Sequence, residues 1–204
     1  MTLYPAFLDL TGRRVVLVGG GTVAASKLDG LIVAGACVTV IAPSISEQIR
    51  ARAETDALTL VERGFEPSDL DHAWWVVAAA TPEVNAEVAR AAEQRRVFVN
   101  AVDDRAAATA FLGGVVRRGP VEIAISTGGA APALAGLLRE GLDALLPQEL
   151  ERWVAVAIAT RADWKAAHVP IGERRPLLLR ALQELYASKA SGSVAPKAAA
   201  KEPS

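Results

Sequence analysis

Residues that usually carry metal and redox chemistry are nearly missing from this chain. Its 204 residues include one cysteine, Cys37, one methionine and two histidines, His72 and His168. A lone cysteine forms no intrachain disulfide. Zinc sites draw three or four ligands mainly from Cys and His, and this composition can hardly supply them, so no metal site is expected. CxxC, HExxH and GxSxG elements are all lacking. A Ser-His-Asp hydrolase would have to use one of two histidines that stand in no recognisable setting, so acid–base chemistry is expected from carboxylates. An excess of one charge is also lacking. The 22 Lys and Arg against 23 Asp and Glu give a net charge of −1, which excludes a global basic field for nucleic acid. The longest apolar run, Ala73–Ala80, falls far short of the ~20 residues of a membrane span. Met1–Leu10 has no basic start followed by an apolar stretch, as a secretory signal would. A soluble cytoplasmic protein with a reduced thiol is expected. With 51% hydrophobic and 22% charged residues, a generally disordered chain is excluded.

Several short apolar runs organise the rest. Arg14–Val18 (RVVLV) ends in three glycines, and a helical stretch over Thr22–Ala34 stops at Gly35, a C-terminal glycine signal. Cys37–Ala42 (CVTVIA) is a second buried-type strand closed by Pro43. Continuous apolar strands on either side of a helix point to a parallel sheet covered on both faces. The alternation continues through a polar helix at Ser46–Glu54 and strands at Leu58–Glu62 and Trp74–Ala80. A helix at Pro82–Gln94 with Thr81 as N-cap follows, then a strand at Val97–Val102. Strands alternating with helices give a doubly wound α/β domain over residues 1–112. Beyond Gly113-Gly114 a hairpin is expected around Arg118-Gly119-Pro120, then helices at Pro132–Leu145, Glu149–His168 and Glu173–Ser188. Residues 189–204, rich in Ala, Ser, Lys and Pro, read as a disordered tail.

Gly19-Gly20-Gly21-Thr22-Val23-Ala24 fits G-x-G-x-x-A and sits between a strand and a helix. The first glycine allows a tight turn, the second lets the backbone approach a pyrophosphate, and the small third residue lets helix and strand pack closely. The helix N-terminus adds NH donors and the positive dipole end. The acidic residue expected about 20 positions on is absent. Ala42-Pro43-Ser44 stands there, with Ser44 able to bond a ribose hydroxyl, and Arg50 is the nearest downstream arginine. Sequence physics alone leaves NAD against NADP open.

These motifs, with Tyr4-Pro5-Ala6-Phe7, AGACVTVIAP (Ala34–Pro43), VVAAATPEVN (Val76–Asn85), VNAVDD (Val99–Asp104), IAISTGGAAPALAGLLRE (Ile123–Glu140), LLPQEL (Leu145–Leu150) and GERR (Gly172–Arg175), come in one order. The chain resembles the precorrin-2 dehydrogenase/sirohydrochlorin ferrochelatase family of sirohaem synthesis over residues 3–185. The resemblance implies a Rossmann-like amino-terminal domain that binds NAD and oxidation of precorrin-2 to sirohydrochlorin. In many members it also implies insertion of ferrous iron. It further implies a homodimer exchanging a segment at residues 113–146, followed by a helical domain at 147–188. Some relatives carry a fused methyltransferase domain. The 204 residues hold none, so precorrin-2 is expected from a separate enzyme.

The resemblance also assigns roles. Asp103 matches the family's key aspartate and lies at the carboxyl end of a parallel strand, where it can move a proton. The other reading is a turn-capping aspartate. Cofactor contacts are expected from Gly19, Gly20, Gly21, Thr22, Val23, Ala42, Pro43, Ser44, Ala80, Thr81 and Asn100. Asn85 is read as structural. Ser126, Thr127 and Gly128 would meet substrate carboxylates or cap the following helix, and both readings stay open. Arg117, Arg118 and Arg139 are the arginines expected on a polycarboxylate, with Arg174 and Arg175 behind them. Trp74 and Trp75 are expected in the core, and His72 and His168 as surface or packing residues. Phe111-Leu112-Gly113-Gly114 departs from the proline that relatives carry there. A chelatase without dehydrogenation is opposed by the intact glycine turn. A dinucleotide-sensing module without chemistry is opposed by Asp103 and the STGG segment.

Overall fold

The computed structural model describes residues 2–55 and 58–191. The chain divides into two compact units. The first holds Met1–Gly113 and Ser126–Gly136, and the second holds Gly114–Ile125 and the chain from Leu137 onward.

In the first unit, β1 (Arg14–Val18), α1 (Thr22–Val33), β2 (Cys37–Ile41), α2 (Glu47–Thr55) and β3 (Leu58–Val61) come first. A 3₁₀ turn (Pro67–Leu70), β4 (Trp75–Ala78), α3 (Pro82–Arg95) and β5 (Phe98–Ala101) follow. The sheet is parallel with the order β3-β2-β1-β4-β5, the doubly wound arrangement expected. Parity along each strand divides two cores. Val15, Leu17, Val38, Val40 and Val77 pack with Ala24, Leu28, Leu31 and Ile49 of α1 and α2. Val16, Val18, Val76, Val99 and Ala101 pack with Val88, Ala91 and Ala92 of α3 and with Leu70. Both faces are covered, which is why these strands read as continuous apolar runs rather than as alternation.

Gly35 ends α1 at φ +71. Its N–H donates to the Ile32 carbonyl, and that of Ala36 donates to Leu31, the paired bonds of a Schellman motif. Arg96 after α3 (φ 57) and His168 after the helix Leu150–Ala166 (φ 54) hold the same left-handed position without glycine's freedom.

One tryptophan departs from expectation. Trp75 is buried, but Trp74 is 55% exposed. It precedes the strand, and the Arg13 guanidinium lies 3.9 Å from its ring centroid, so a cation–π contact at the surface replaces core packing.

The second unit contains a hairpin, β6 (Gly114–Arg118) with β7 (Val121–Ile125), joined through Gly119-Pro120 with Gly119 at φ +54. α4 (Pro132–Leu145) starts in the first unit and continues into the second, where α5 (Leu150–Ala166) and α6 (Ile171–Ser191) follow. The Trp153 indole N–H donates to the Tyr186 hydroxyl at 2.7 Å, with the rings edge to face. α6 runs on through Lys189, Ala190 and Ser191, because Lys and Ala favour helix and no breaker intervenes before Gly192. The rest of the expected tail, 192–204, lies outside the described residues.

Asp69, buried after the 3₁₀ turn's start, anchors the loop that feeds β4. Its carboxylate accepts both Arg63 guanidinium nitrogens at 2.6 and 2.9 Å and the Glu66 N–H at 2.8 Å. Burial pushes this carboxyl up. The Arg63 hydrogen bonds, the Glu66 amide and the charges of Arg63 and Arg14 outweigh burial and hold it below its usual value. A carboxyl depressed by folding stabilises above its unfolded pKa of about 3.9, and that stability is lost as pH falls through the folded value. Asp69→Asn therefore costs about 1–3 kcal/mol at pH 7. In urea unfolding, its difference from wild type shrinks as the pH drops below about 4.

Candidate active site

Four strands release the chain at one end of the sheet: β1 into Gly19–Val23, β2 into Ala42–Ser44, β4 into Ala79–Thr81 and β5 into Val102–Asp104. Backbone contacts weld the first three exits together. Gly19 turns at φ +132, and its N–H donates to the Ile41 carbonyl at 2.9 Å. A Cβ on Gly19 would stand 2.2 Å from the Ala79 carbonyl oxygen, and one on Gly20 would stand 1.9 Å from that of Ser44. Both positions therefore exclude any side chain. Gly21 differs, since its Cβ would meet nothing within 4 Å. Gly21 is also the N-cap of α1, with no side-chain cap and no acidic residue in the first turn. The first helical amides, with Thr22 and Val23 exposed, keep their donors for an anion. Ala24 is fully buried and seats α1 on the sheet. These features fit a dinucleotide pyrophosphate over Gly21.

At the β4 exit, buried Asn85 accepts the Ala80 N–H at 2.9 Å and donates to the Ala80 carbonyl at 3.4 Å. It therefore holds the Ala80–Thr81 turn from below. Thr81 caps α3 by position only. The amide of Glu83, and after it the Thr81 hydroxyl, hold the Glu83 carboxyl below its usual value.

At the β5 exit, buried Asn100 donates to the Ala110 carbonyl at 3.0 Å. Val99 bonds the same returning segment: its N–H donates to the Thr109 hydroxyl, and its carbonyl accepts the N–H groups of Thr109 and Ala110. The two adjacent aspartates then separate in role. Asp104 caps the turn, accepting the N–H groups of Ala106 and Ala107 at 3.0 and 3.1 Å. Asp103 stands exposed at φ +60, with no side-chain partner among the described residues. The turn-capping role weighed for Asp103 thus falls to its neighbour.

The Ser126-Thr127-Gly128-Gly129 turn belongs to this same unit. Ser126 Oγ accepts the Gly128 N–H, and Thr127 Oγ1 accepts the Ala131 N–H, each at 3.1 Å. Capping occupies the oxygens and leaves both hydroxyl hydrogens for a ligand. Arg105, which the sequence reading passed over, packs on this turn. A Cβ on Gly128 would lie 3.7 Å from its guanidinium. No carboxylate pairs with Arg105 among the described residues. Nothing in composition or spacing marks it, because its meaning comes from the return of the STGG turn.

The arginines singled out from sequence lie in the second unit, and the first three already face carboxylates. Arg117 pairs with Glu122 at 2.7 Å, Arg118 with Asp143 at 3.0 Å and Arg139 with Glu140 at 3.2 Å. Arg118 Nε is buried without a partner. Arg174 donates to the Val169 carbonyl, and Arg175 is exposed. Among the described residues no three His, Cys, Asp or Glu side chains gather as a metal site, and no helix is long and apolar enough to cross a membrane.

Comparison with known proteins agrees with this architecture. The family described as "Putative NAD(P)-binding" matches residues 6–114, and "Sirohaem biosynthesis protein central" matches residues 118–145. The chain belongs to the first of these families, whose match covers more than half of its length. It is 42% identical over 183 residues to siroheme synthase 1 of Aeromonas salmonicida, covering 89% of this chain and 39% of that protein. It is 44% identical over 172 residues to the siroheme synthase of Citrobacter koseri, covering 84% of this chain and 38% of that protein. The chain thus spans about two fifths of these curated relatives. Among solved structures it is similar to SirC, a precorrin-2 dehydrogenase, with a TM-score of 0.69 at 26% identity, covering 87% of this chain and 88% of that one.

The glycine loop separates two substitutions that look alike. Gly20→Ala drives a methyl into the Ser44 carbonyl and lowers the melting temperature. Gly21→Ala, at φ −91, leaves the melt unchanged but weakens dinucleotide binding about tenfold or more, as titration calorimetry would read.

Proposed function

We propose that the chain is an NAD-dependent dehydrogenase that oxidises precorrin-2 to sirohydrochlorin in sirohaem synthesis. The observation that carries the reading is that the exits of β1 and β5 open at the same end of one parallel sheet, with only β4 between them. One is a glycine loop shaped for a pyrophosphate, and the other presents, in a left-handed conformation, an aspartate without a side-chain partner among the described residues. The similarity to a precorrin-2 dehydrogenase of known structure supports it. A sensor would have no use for a carboxylate held in that conformation.

When bound, NAD supplies an acceptor for the hydride that leaves the macrocycle, and a proton must leave with it. Asp103 takes that proton, since its carboxylate is exposed and engaged with no other side chain among the described residues. Asp104 fixes the turn beneath it. Asn85 and Asn100 hold the neighbouring exits, so the nicotinamide end meets a rigid floor. Gly21 and the open amides of α1 take the pyrophosphate, while Ala42, Pro43 and Ser44 form the ribose side. The substrate carries several carboxylates. Arg105 and the free hydroxyl hydrogens of Ser126 and Thr127 bind those nearest Asp103. Ferrous iron, if taken, is a substrate of a second step on the oxidised macrocycle. The setting is the bacterial cytoplasm, in keeping with an unpaired, exposed Cys37.

The assembled form is a homodimer built on residues 113–146 and the helices beyond. Among the described residues, only Val116 and Leu150 of the second unit are buried apolar side chains. Leu137, Leu145, Ile158 and Leu179 of that unit are exposed at 65%, 81%, 65% and 59%. A unit with so small a core of its own is stabilised by a second copy of the chain.

Two experiments test these readings. In an anaerobic assay with enzymatically generated precorrin-2, the sirohydrochlorin spectrum appears only with the dinucleotide. Asp103→Asn keeps the fold, because Asn also tolerates positive φ, and lowers kcat about 10²–10⁴-fold. Arg105→Ala raises KM instead. Absence of oxidation in folded wild type would reject the activity. Adding ferrous iron afterwards reads chelation separately. For the dimer, Leu137→Glu converts the sedimenting species to half its mass, and an unchanged mass counts against this interface.

A further inference from the structure

Dinucleotide domains of this type read the adenosine ribose at the end of the second strand. An acidic side chain there bonds the 2′-hydroxyl, and an arginine accommodates a 2′-phosphate. Here β2 ends in Ala42-Pro43-Ser44, without an ionisable group. Two charged side chains nonetheless reach this point from neighbouring elements. The Ser44 carbonyl lies against Gly20, and the Ser46 N–H donates to the Gly20 carbonyl at 2.9 Å. The intervening Ile45 carbonyl accepts Arg50 Nε at 3.3 Å. Arg50, on α2, grips both carboxylate oxygens of Glu62 at 2.9 and 2.6 Å. Glu62 directly follows β3, whose last residue, Val61, accepts the Ala42 N–H at 3.2 Å. Continuous contact therefore runs from the glycine loop through Ser44 and Ile45 to Arg50 and Glu62. Both side chains remain open to a ligand, at 39% and 48% exposure. The Arg50 hydrogen bonds hold the Glu62 carboxyl below its usual value, so it stays charged at neutral pH.

We infer that the Arg50–Glu62 pair sets the choice of dinucleotide, with Glu62 acting as the ribose-side acid that β2 lacks. A guanidinium closed on a carboxylate by two parallel hydrogen bonds has no matching fork left for phosphate. The carboxylate also places a negative charge where a 2′-phosphate would arrive. The pair therefore selects NAD against NADP. Without Glu62, the same guanidinium, still tethered to Ile45, becomes a phosphate ligand. This inference rests on the dinucleotide reading of the glycine loop and is independent of the tetrapyrrole substrate.

Dissociation constants for NAD and NADP, measured by titration calorimetry on the full chain, test it directly. Wild type binds NAD more tightly. Glu62→Gln lowers the NADP-to-NAD ratio of dissociation constants about tenfold. Arg50→Ala moves that ratio the other way, because an unpaired Glu62 then repels the phosphate. The double substitution Arg50→Ala with Glu62→Gln loses the NADP gain. Opposite movements by two neighbouring substitutions cannot come from general loss of structure, and thermal melts confirm that each variant is folded. A ratio unmoved by Glu62→Gln, movement of both single variants in one direction, or a wild type that prefers NADP overturns the inference while leaving dinucleotide binding intact. A folded wild type that binds neither nucleotide overturns the dinucleotide reading and the inference together.

Discussion

Two main-chain carbonyls, those of Ser44 and Ala79, press so closely on Gly19 and Gly20 that no side chain fits between. Most of the site follows from this contact. It forces the exits of β1, β2 and β4 into a single block of backbone, so their relative positions do not depend on flexible side chains. With those two glycines consumed by packing, the third is left facing open space at the head of α1. A phosphate can then approach main-chain donors without anything having to move aside. Preorganisation of this kind lowers the ordering cost of binding a charged, flexible ligand.

The first unit was the more legible part of the chain. Both its sheet faces are covered, so every strand is a dense apolar run, and glycine or proline punctuates the helices between. The carboxyl-end placement of Asp103 and the glycine loop followed from the same pattern. Trp74 was misread because a run of apolar letters cannot show where a strand begins, and an arginine stacked on its ring removed it from the core. The division of labour between Asp103 and Asp104 was hidden for a related reason. The two differ only in backbone conformation, since a left-handed turn aims the first outward while the second folds back onto the amides of Ala106 and Ala107.

Charged side chains were the least legible. Arg117, Arg118 and Arg139 were chosen for proximity to motifs, yet each has a carboxylate close by. Arg105 and Glu62 carried no motif. One takes its meaning from a turn that returns some twenty residues later, the other from a strand one place further out in the sheet. Long-range pairing of this kind leaves no periodic trace in a single sequence.

The returning segment at Thr109-Ala110 has a consequence for how the protein stays apart from its neighbours. It takes up both hydrogen-bonding groups of Val99 and the side-chain amide of Asn100, so β5 has little left at that point to offer an incoming strand. An open sheet border is a template for unwanted polymer growth, and here the border at Val99 and Asn100 is covered by the chain itself. Along that side the sheet offers a neighbouring copy little backbone on which to zip into a fibril.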